Sequence, residues 1–241
     1  EPFRARAQAG SADAAADALI AFHRALLDVV AAQAVAVKPQ AAFFERLGAA
    51  GMRALNDAVT HAQSRGTLAA SDALTVNPYL GADSLEPFLE AARAVGAGLF
   101  VLVKTSNPGA GLFQNHGVPP LAEVVAGQVA AWGNPLREGS GWSAVGAVVG
   151  ATRPDELARF RALMPHTPFL LPGYGAQGGT AAGLAPAFDA RGHGAIVNAS
   201  RSVLNAHARV DLQHLAGWEA RTEAALTEMV NDLRAVSSPA R

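Results

Sequence analysis

The sequence has 241 residues, 50% of them hydrophobic, with a formal net charge of −1 and no cysteine. A chain of this length and composition is typical of a globular protein with one large core. The lack of cysteine excludes disulfides, thiolate nucleophiles and cysteine-ligated metal centres. A pI near 6.7 gives no broad basic surface, so we expect a small-molecule ligand rather than a nucleic-acid partner.

No apolar run in the sequence is long enough to cross a membrane. The longest runs, such as Leu99–Val103 and Ala144–Val149, are strand-sized and far below the ~18 residues that a membrane helix needs. The first residues also lack the basic-then-apolar order of a secretory signal. We therefore expect no membrane partner and a cytoplasmic location.

Short β-branched runs alternate along the chain with stretches of helical periodicity, which predicts an α/β fold with a parallel sheet. The predicted strands are Val35–Lys38, Ala73–Asn77, Leu99–Thr105, Val145–Ala151, Pro168–Leu171 and Ala195–Asn198. The predicted helices are Ala12–Val30, Ala42–Ser64, Ser84–Val95, Pro119–Trp132, Pro154–Leu163, Thr180–Phe188 and Asp211–Val236. No linker or repeat divides these elements, so residues 1–241 are expected to form a single domain.

The length favours a closed (β/α)8 barrel over an open doubly wound sheet, because such barrels have about 250 residues. The predicted strands are nevertheless two short of eight. The chain begins with a helix that no strand precedes, and only Thr67–Asp72 separate the end of one helix from the next strand. A barrel that lacks two strands cannot close.

Polar residues at the carboxyl ends of the strands are the candidates for chemistry, since ligands of parallel α/β folds bind there. Lys38 ends an apolar strand, where a charge is costly unless it has a function. Lys104 is followed by Thr105, Ser106 and Asn107, which suit a planar polar ligand, although Ser-Asn-Pro is also a common turn. Strand alternation sends Lys104 and Thr105 to opposite faces, so Ser106 is the preferred ligand contact.

The last two strands are followed by features that suit a phosphate group. The segment Pro172–Thr180 contains G-x-G-x-x-G between a strand and a helix, as in dinucleotide-binding folds. The next strand ends at Asn198 with no nearby acid to bind a ribose, which argues against a nicotinamide cofactor. Glycine N–H groups and the guanidinium of Arg201 remain as expected ligands of one phosphate.

Other catalytic centres are not indicated by the sequence. The seven histidines show no metal-ligand spacing, and no G-x-S-x-G motif of a serine hydrolase occurs. We expect neither a metal nor a cofactor.

Several segments together resemble the bacterial type-2 branch of the orotidine 5′-phosphate decarboxylase family. They are Val37–Glu45 (V-K-P-Q-A-A-F-F-E), Thr75–Gly81, Leu85–Pro87, Phe100–Pro108 (F-V-L-V-K-T-S-N-P), Val148–Thr152 and Pro172–Gly179 (P-G-Y-G-A-Q-G-G). The resemblance implies a (β/α)8 barrel that converts orotidine 5′-monophosphate to uridine 5′-monophosphate and CO2 without a cofactor, in the last step of de novo pyrimidine nucleotide synthesis. It also implies a homodimer with its active sites at the interface.

The same resemblance assigns roles to individual residues. Lys38 matches the family's catalytic-site lysine at the end of the second strand, and Ser106 matches the serine that binds the pyrimidine. Gln177 and Arg201 match the phosphate contacts. The remaining expected substrate contacts are Thr105, Asn107, Pro172 and Ser200, with a phosphate loop of Gly173, Gly175, Gly178 and Gly179.

Two family motifs have no counterpart in the sequence, and they fall where the two strands are missing. They are the first-strand Asp in a Gly-x-Asp-Pro context and the central Asp-x-Lys-Arg-Gly-Asp segment, which carries the proton-donating lysine and its neighbouring carboxylates. Either the protein is a catalytically inactive nucleotide-binding paralogue, or the 241 residues are not contiguous in the natural chain. Another phosphosugar-binding barrel enzyme is a further alternative.

Overall fold

The computed structural model describes residues 10–69, 72–137, 139–175 and 177–237. Backbone contacts divide the chain into two compact units. The helical unit comprises the chain up to Asp72 together with Asn205–Thr227, and the sheet unit comprises Ala73–Leu204 and the chain from Glu228. The expectation of a single domain stays a prediction.

The helical unit is built on helices α1 (Ala12–Val30), α2 (Ala41–Glu45) and α3 (Gly48–Ser64). The Ser11 hydroxyl caps α1 by accepting a 3.1 Å hydrogen bond from the Ala14 N–H, as N-terminal serines commonly do. The core of this unit consists mainly of small side chains, which let helices pack closely. One cluster of its buried residues consists of Ala16, Phe44, Ala50 and Ala54.

The predicted helix Ala42–Ser64 is interrupted between α2 and α3. Gly48 has a φ of 59°, a left-handed conformation that favours glycine and breaks the helical path. Gly51 then lies so close to α2 that a Cβ atom would be 1.8 Å from the Phe44 carbonyl oxygen. The break therefore lets the chain fold back on itself within a few residues.

The predicted strand Val35–Lys38 is reduced to a single parallel bridge between Ala36 and Leu68. The Val37 N–H donates to the Leu68 carbonyl at 2.8 Å, and the Leu68 N–H donates to the Val35 carbonyl at 3.1 Å. The residues that follow α3 thus begin to pair as the next strand of a parallel sheet. Residues 70 and 71, within the stretch where a strand is missing, lie outside the described residues.

The sheet unit contains a parallel sheet whose strands are neighbours in chain order. The strands are β1 (Ala73–Val76), β2 (Gly98–Lys104), β3 (Val145–Val149), β4 (Phe169–Pro172) and β5 (Ala195–Asn198). Each agrees with a predicted strand to within two residues at either end. Helices connect consecutive strands, and this sequential parallel order is the connectivity of a (β/α)8 barrel.

The helices of the sheet unit lie between and after its strands. They are α4 (Ala82–Val95), α5 (Gly111–Gln114), α6 (Leu121–Gly133), α7 (Pro154–Leu163), α8 (Ala181–Leu184) and α9 (Arg201–Leu204). The last helix, α10 (Gly217–Ser237), begins in the helical unit and ends in the sheet unit. None of the helices in the described part of the chain is both long and apolar enough to cross a membrane.

The core of the sheet unit is formed by the strands and the helices that cover them. All five residues of β3 are buried, and Leu99, Val101 and Val103 alternate along β2 as buried positions. Successive residues of a strand face opposite sides of the sheet, so these three side chains, at every second position, share one face. Because the strands are parallel, their carboxyl ends lie at one edge, where the predicted polar residues follow them.

Candidate functional site

The ends of β2, β3 and β4 meet at Ser106. A Cβ atom at Gly150 would lie 3.2 Å from the Cα and Cβ atoms of Ser106. A Cβ atom at Gly173 would lie 3.2 Å from Ser106 Cβ, 3.4 Å from Thr152 Cγ2 and 3.0 Å from Gln177 Oε1. The absence of side chains at Gly150 and Gly173 therefore leaves room for Ser106. The structure brings Ser106 close to Gln177, and both are predicted to contact the same substrate.

We call the group of Ser106, Gly150, Gly173 and Gln177 the Ser106 corner. Backbone hydrogen bonds between neighbouring strand ends hold it in place. The Gly150 N–H donates to the Lys104 carbonyl at 2.8 Å, and the Ala151 N–H donates to the Pro172 carbonyl at 2.9 Å. Pro172, a predicted substrate contact, ends β4 and pairs with Asn198 of β5. Residues just beyond the strand ends are thus tied to the sheet by backbone hydrogen bonds.

Thr105 and Asn107 are engaged differently from Ser106. The Thr105 hydroxyl donates to Asn107 Oδ1 at 2.6 Å and accepts from Gln114 Nε2 at 2.8 Å. The Thr105 N–H donates to Gln114 Oε1 at 2.9 Å. Thr105 and Asn107, two predicted substrate contacts, thus form a hydrogen-bonded turn on either side of Ser106. The Ser106 side chain lies instead against the ends of the neighbouring strands.

Lys104 is a buried cation with partners of its own. Its ammonium group donates to Asn115 Oδ1 and lies 3.7 Å from Glu156 Oε2 near the start of α7. Its side chain is 11% exposed. A buried charge is tolerated when it is paired and hydrogen-bonded in this way. The structure therefore gives the Lys104 ammonium group two partners within the protein, Asn115 and Glu156.

The glycine loop after β4 uses its N–H groups internally. The Gly175 N–H donates to the Gly179 carbonyl at 2.9 Å, Gly178 donates to Gly175 at 2.8 Å, and Gly179 donates to Gly173 at 3.1 Å. Each of these three N–H groups has a carbonyl acceptor within the loop in this structure, and the expectation that they surround a phosphate stays a prediction. The G-x-G-x-x-G spacing builds a tight turn, which presents the exposed side chain of Gln177.

The residues after β5 approach this loop. Ser200 is exposed, and its hydroxyl is 3.5 Å from Asn198 Oδ1. Ser202, which the sequence did not single out, lies against Gly175, where a Cβ atom would be 3.6 Å from the Ser202 hydroxyl oxygen. That hydroxyl is buried and has no hydrogen-bond partner among the described residues. The segments on which Gln177 and Arg201 lie therefore meet at Gly175 and Ser202.

Arg201 differs from the other cations that follow the strands. Lys104 is paired with Glu156, and Arg153 lies 3.3 Å from Asp155. The Asp155 carboxylate holds the pKa of the Arg153 guanidinium above its usual value. Arg201 is exposed and has no ion-pair partner within residues 10–69, 72–137, 139–175 and 177–237. Its guanidinium is thus available for an anionic ligand.

Lys38 belongs to the helical unit, whereas the other predicted site residues belong to the sheet unit. It follows the bridge at Ala36 and is exposed, and its ammonium has no partner in the part of the chain that the structure describes. The sequence predicts Lys38 at the end of a strand. The structure replaces that strand by one bridge, but it leaves the lysine free to bind a ligand.

One further pair near the site could not be found from local sequence. The Tyr174 hydroxyl, in the glycine loop, donates a 3.0 Å hydrogen bond to Asp232 Oδ2 on α10. Burial, and then this carboxylate, raise the pKa of Tyr174 to about 12. The two residues are 58 positions apart, so no local pattern links them.

The amino ends of the strands carry a separate cavity of about 280 Å³. Its lining includes Asn134, Arg137, Ser143, His166 and Thr167, and it shares no residue with the Ser106 corner. No group of three or more His, Asp or Glu side chains that could hold a metal occurs in the described ranges of the chain.

Two comparisons of sequence agree with the resemblance. Residues 59–211 match the model of the orotidine 5′-phosphate decarboxylase / HUMPS family. The orotidine 5′-phosphate decarboxylase of Rhodopirellula baltica is 39% identical over 270 residues, which cover 97% of this chain and 89% of that protein. The Deinococcus radiodurans enzyme is 45% identical over 204 residues and 74% of each chain. The first match is longer than this chain, so some positions of that relative have no counterpart here.

Solved structures give the same result for the fold. The structure of Leishmania donovani UMP synthase superposes with a TM-score of 0.74 and 32% identity over 95% of this chain, which spans about half (52%) of that protein. Leishmania donovani OMP decarboxylase gives a TM-score of 0.71 and 30% identity over 95% of this chain and 90% of its own. These relatives are (β/α)8 barrels, which confirms the predicted fold class. The chain belongs to the orotidine 5′-phosphate decarboxylase / HUMPS family.

Proposed function

We propose that this protein decarboxylates orotidine 5′-monophosphate to uridine 5′-monophosphate and CO2 without a cofactor, as the last step of de novo pyrimidine nucleotide synthesis. The observation that carries the proposal is the corner at which Ser106, Gly150, Gly173 and Gln177 meet at the carboxyl ends of three neighbouring strands. The names of the relatives supply the reaction.

Ser106 is the proposed pyrimidine contact. Loss of CO2 from the substrate leaves a carbanion at C6 of the base that no neighbouring group can delocalise, so the ring must be held in one orientation while charge develops. A serine hydroxyl can both donate and accept a hydrogen bond, which suits the alternating carbonyl and N–H groups of a pyrimidine. Thr105 and Asn107, which bond to each other around Ser106, contribute by fixing its position.

Gln177 and Arg201 are the proposed phosphate contacts. An amide donor and an unpaired guanidinium suit a phosphate dianion, and the segments that bear them meet at Gly175 and Ser202. Pro172 and Ser200 flank the same group. Binding energy from this remote phosphate can be used to order the site around the base, so its loss affects the chemical step as well as binding.

Lys38 is the proposed catalytic residue, and it is supported by its match to the family motif and by its free ammonium group. The chain has only two lysines, and Lys104 is held by Asn115 and Glu156. The family's central segment, with the lysine that protonates C6 and the carboxylates beside it, has no counterpart here. This gap is the observation that favours the alternative of a nucleotide-binding protein without activity.

One experiment separates the two functions. Binding of uridine 5′-monophosphate is measured by calorimetry, and release of CO2 from carboxyl-labelled orotidine 5′-monophosphate is measured on the same sample. Binding with turnover supports the decarboxylase, whereas binding without turnover establishes the inactive paralogue. Absence of nucleotide binding contradicts both and leaves another phosphosugar barrel enzyme, which phosphosugar substrates would then test.

The phosphate contacts are tested by a matched pair of arginines on either side of β5. Arg201→Ala should weaken nucleotide binding by about 1.5–3 kcal/mol, because it removes charge-assisted hydrogen bonds. Arg201→Lys should restore the charge but not the two-pronged geometry, and so rescue binding in part. Arg191→Ala is the control, since Arg191 is paired with Asp189 and precedes β5. An equal effect of both alanine variants would remove Arg201 from the site.

We also propose a homodimer and a cytoplasmic location. The expected interface combines the region Ala42–Ser64 with the loop Pro78–Gly81, in which Tyr79 and Leu80 are 81% and 78% exposed. Large apolar side chains exposed side by side commonly mark a protein contact. Sedimentation of a monomer at micromolar concentration would contradict the dimer.

A further inference from the structure

The glycine loop is attached to α10 through one side chain. Tyr174 lies between Gly173 and Gly175, and Tyr174 also forms an isolated bridge with Gly179, which closes the loop. Its ring is partly buried against the core of the sheet unit, while its hydroxyl donates to Asp232 Oδ2 at 3.0 Å. The loop therefore has a fixed base and a hydrogen-bonded tether at its second residue.

The other end of this tether is itself held firmly. Leu233, next to Asp232, packs against the core of the sheet unit. The last described residue of α10, Ser237, lies so close to Gly192 that a Cβ atom there would be 2.0 Å from the Ser237 carbonyl oxygen. Asp232 is thus carried by a helical end that packs against the sheet unit on either side of it, and it can serve as an acceptor of defined position.

We propose that Tyr174 and Asp232 form a positioning pair that sets the place of Gln177 at the phosphate subsite. Nothing else about Tyr174 suggests contact with the substrate, because its hydroxyl is committed to Asp232. The inference rests on the proposed nucleotide site, but it concerns residues outside that site. A pair of this kind affects the part of the ligand that the loop binds and leaves the rest unaffected.

The test compares a nucleotide with its nucleoside. Tyr174→Phe keeps the ring and removes the hydroxyl, and Asp232→Ala removes the acceptor. Each should lower the affinity for uridine 5′-monophosphate on the order of tenfold, the usual worth of a hydrogen bond to a charged group. The affinity for uridine, measured by competition, should not change. Asp232→Asn, which retains an acceptor oxygen, should restore part of the loss.

A double variant shows whether the two residues act together. Tyr174→Phe with Asp232→Ala should be no weaker than the weaker single variant, since the same hydrogen bond is lost in each. Glu223→Gln is the matched control, because it removes an exposed carboxylate from the same helix, and it should bind as the wild type does. Urea unfolding of each variant identifies any general loss of structure.

The outcomes separate this inference from the proposed function. If the wild type does not bind uridine 5′-monophosphate, the proposed function fails. If the wild type binds and the single variants bind equally well, the positioning pair is refuted while the function stands. Equal losses for uridine and its monophosphate, or additive losses in the double variant, also refute it.

Discussion

The two units of this chain are stabilised in different ways. In the helical unit, alanines such as Ala16 and Ala54 are buried between helices, and the ion pairs between α1 and α3, including Arg24 with Asp57, are on the surface. In the sheet unit, valines and leucines form most of the core together with Phe160 and Phe169, and a paired cation, Lys104, is buried beside the strand ends. Packing of small side chains makes the first unit sensitive to added volume, whereas the second depends on buried hydrogen bonds.

This contrast indicates which elements of the chain can hold a reactive site. Parallel strands that end together offer several side chains at fixed spacing, and the Ser106 corner lies where three such strands end. The helical unit offers one predicted site residue, Lys38, on irregular chain next to a single bridge. A side chain carried by a regular helix or strand is positioned more precisely than one carried by irregular chain.

The largest effect on stability is expected from Arg161 in the sheet unit. Its guanidinium donates four hydrogen bonds of 2.9 Å to the carbonyls of Met164, Thr167, Ala187 and Gly194, and it lies 3.7 Å from the centre of the Phe169 ring. Burial lowers the pKa of Arg161 to about 10. Arg161→Ala should lower the free energy of unfolding by about 3–5 kcal/mol, because it leaves buried carbonyls without donors.

Urea unfolding measures this effect, and Arg159→Ala on the same helix is the control. Arg159 is 64% exposed and paired with Glu123, so its loss should change the free energy of unfolding by less than about 1 kcal/mol. Similar values for the two variants would show that the buried hydrogen bonds do not dominate the stability of the sheet unit.

The two lysines, one in each unit, give the next comparison. Lys38→Ala should lower turnover of orotidine 5′-monophosphate by about a hundredfold or more, or about 3 kcal/mol of transition-state stabilisation, with a smaller change in nucleotide affinity. Lys104→Met should act mainly on stability, because it removes the buried contacts of the ammonium group with Asn115 and Glu156. Turnover and thermal unfolding of both variants check this. If Lys104→Met loses turnover and Lys38→Ala does not, Lys104 is the catalytic lysine and Lys38 is not.

A smaller effect is expected from added volume in the helical unit. Ala54 is completely buried, so Ala54→Leu should cost about 1–3 kcal/mol by forcing the helices apart. Ala49→Leu, at an exposed position of the same helix α3, should be nearly neutral. Chemical unfolding of the two variants measures the difference. If Ala54→Leu is also neutral, the packing in this unit is looser than the buried alanines indicate.

The smallest effect is a pH dependence that belongs to the helical unit. The partly buried ring of His23, beside Phe44, donates a 2.7 Å hydrogen bond from Nδ1 to the Leu19 carbonyl oxygen, and burial lowers its pKa. The unfolded chain binds a proton near pH 6.5 while the folded ring stays neutral, so stability should be lost as the pH falls below about 6.5. His23→Phe should flatten the unfolding free energy between pH 7 and 5.

His116→Gln serves as the control for this pH effect, since His116 is exposed and belongs to the sheet unit. It should leave the pH dependence of unfolding as in the wild type. If both variants flatten the curve equally, the dependence does not come from the burial of His23.

Regular elements with clear end signals were predictable from the sequence. Helices α1 and α7 were predicted to the residue, because Ser11 caps the first and Pro154 begins the second. The final helix was predicted from Asp211, but Gly217 begins it, after a 3-10 turn at Val210–Leu212. Periodicity alone does not distinguish a tight turn from the first turn of a helix.

Contacts across long stretches of chain were not predictable. The close approach of Ser106 to Gly173 depends on the strand order, which could be guessed from the fold class. Other contacts depend on packing in three dimensions, for which a single sequence has no local signal. They are the four carbonyl acceptors of Arg161, the hydrogen bond of Tyr174 to Asp232 and the internal hydrogen bonds of the glycine loop.

The sequential order of the strands has a consequence for how the protein is made. Each strand pairs with the one synthesised just before it, so the sheet can assemble from β1 to β5 as the chain leaves the ribosome. Asp232 is made after β5, and 58 positions after Tyr174. We therefore expect the glycine loop to reach its final position last, and a nascent chain to gain nucleotide affinity only when α10 has been released.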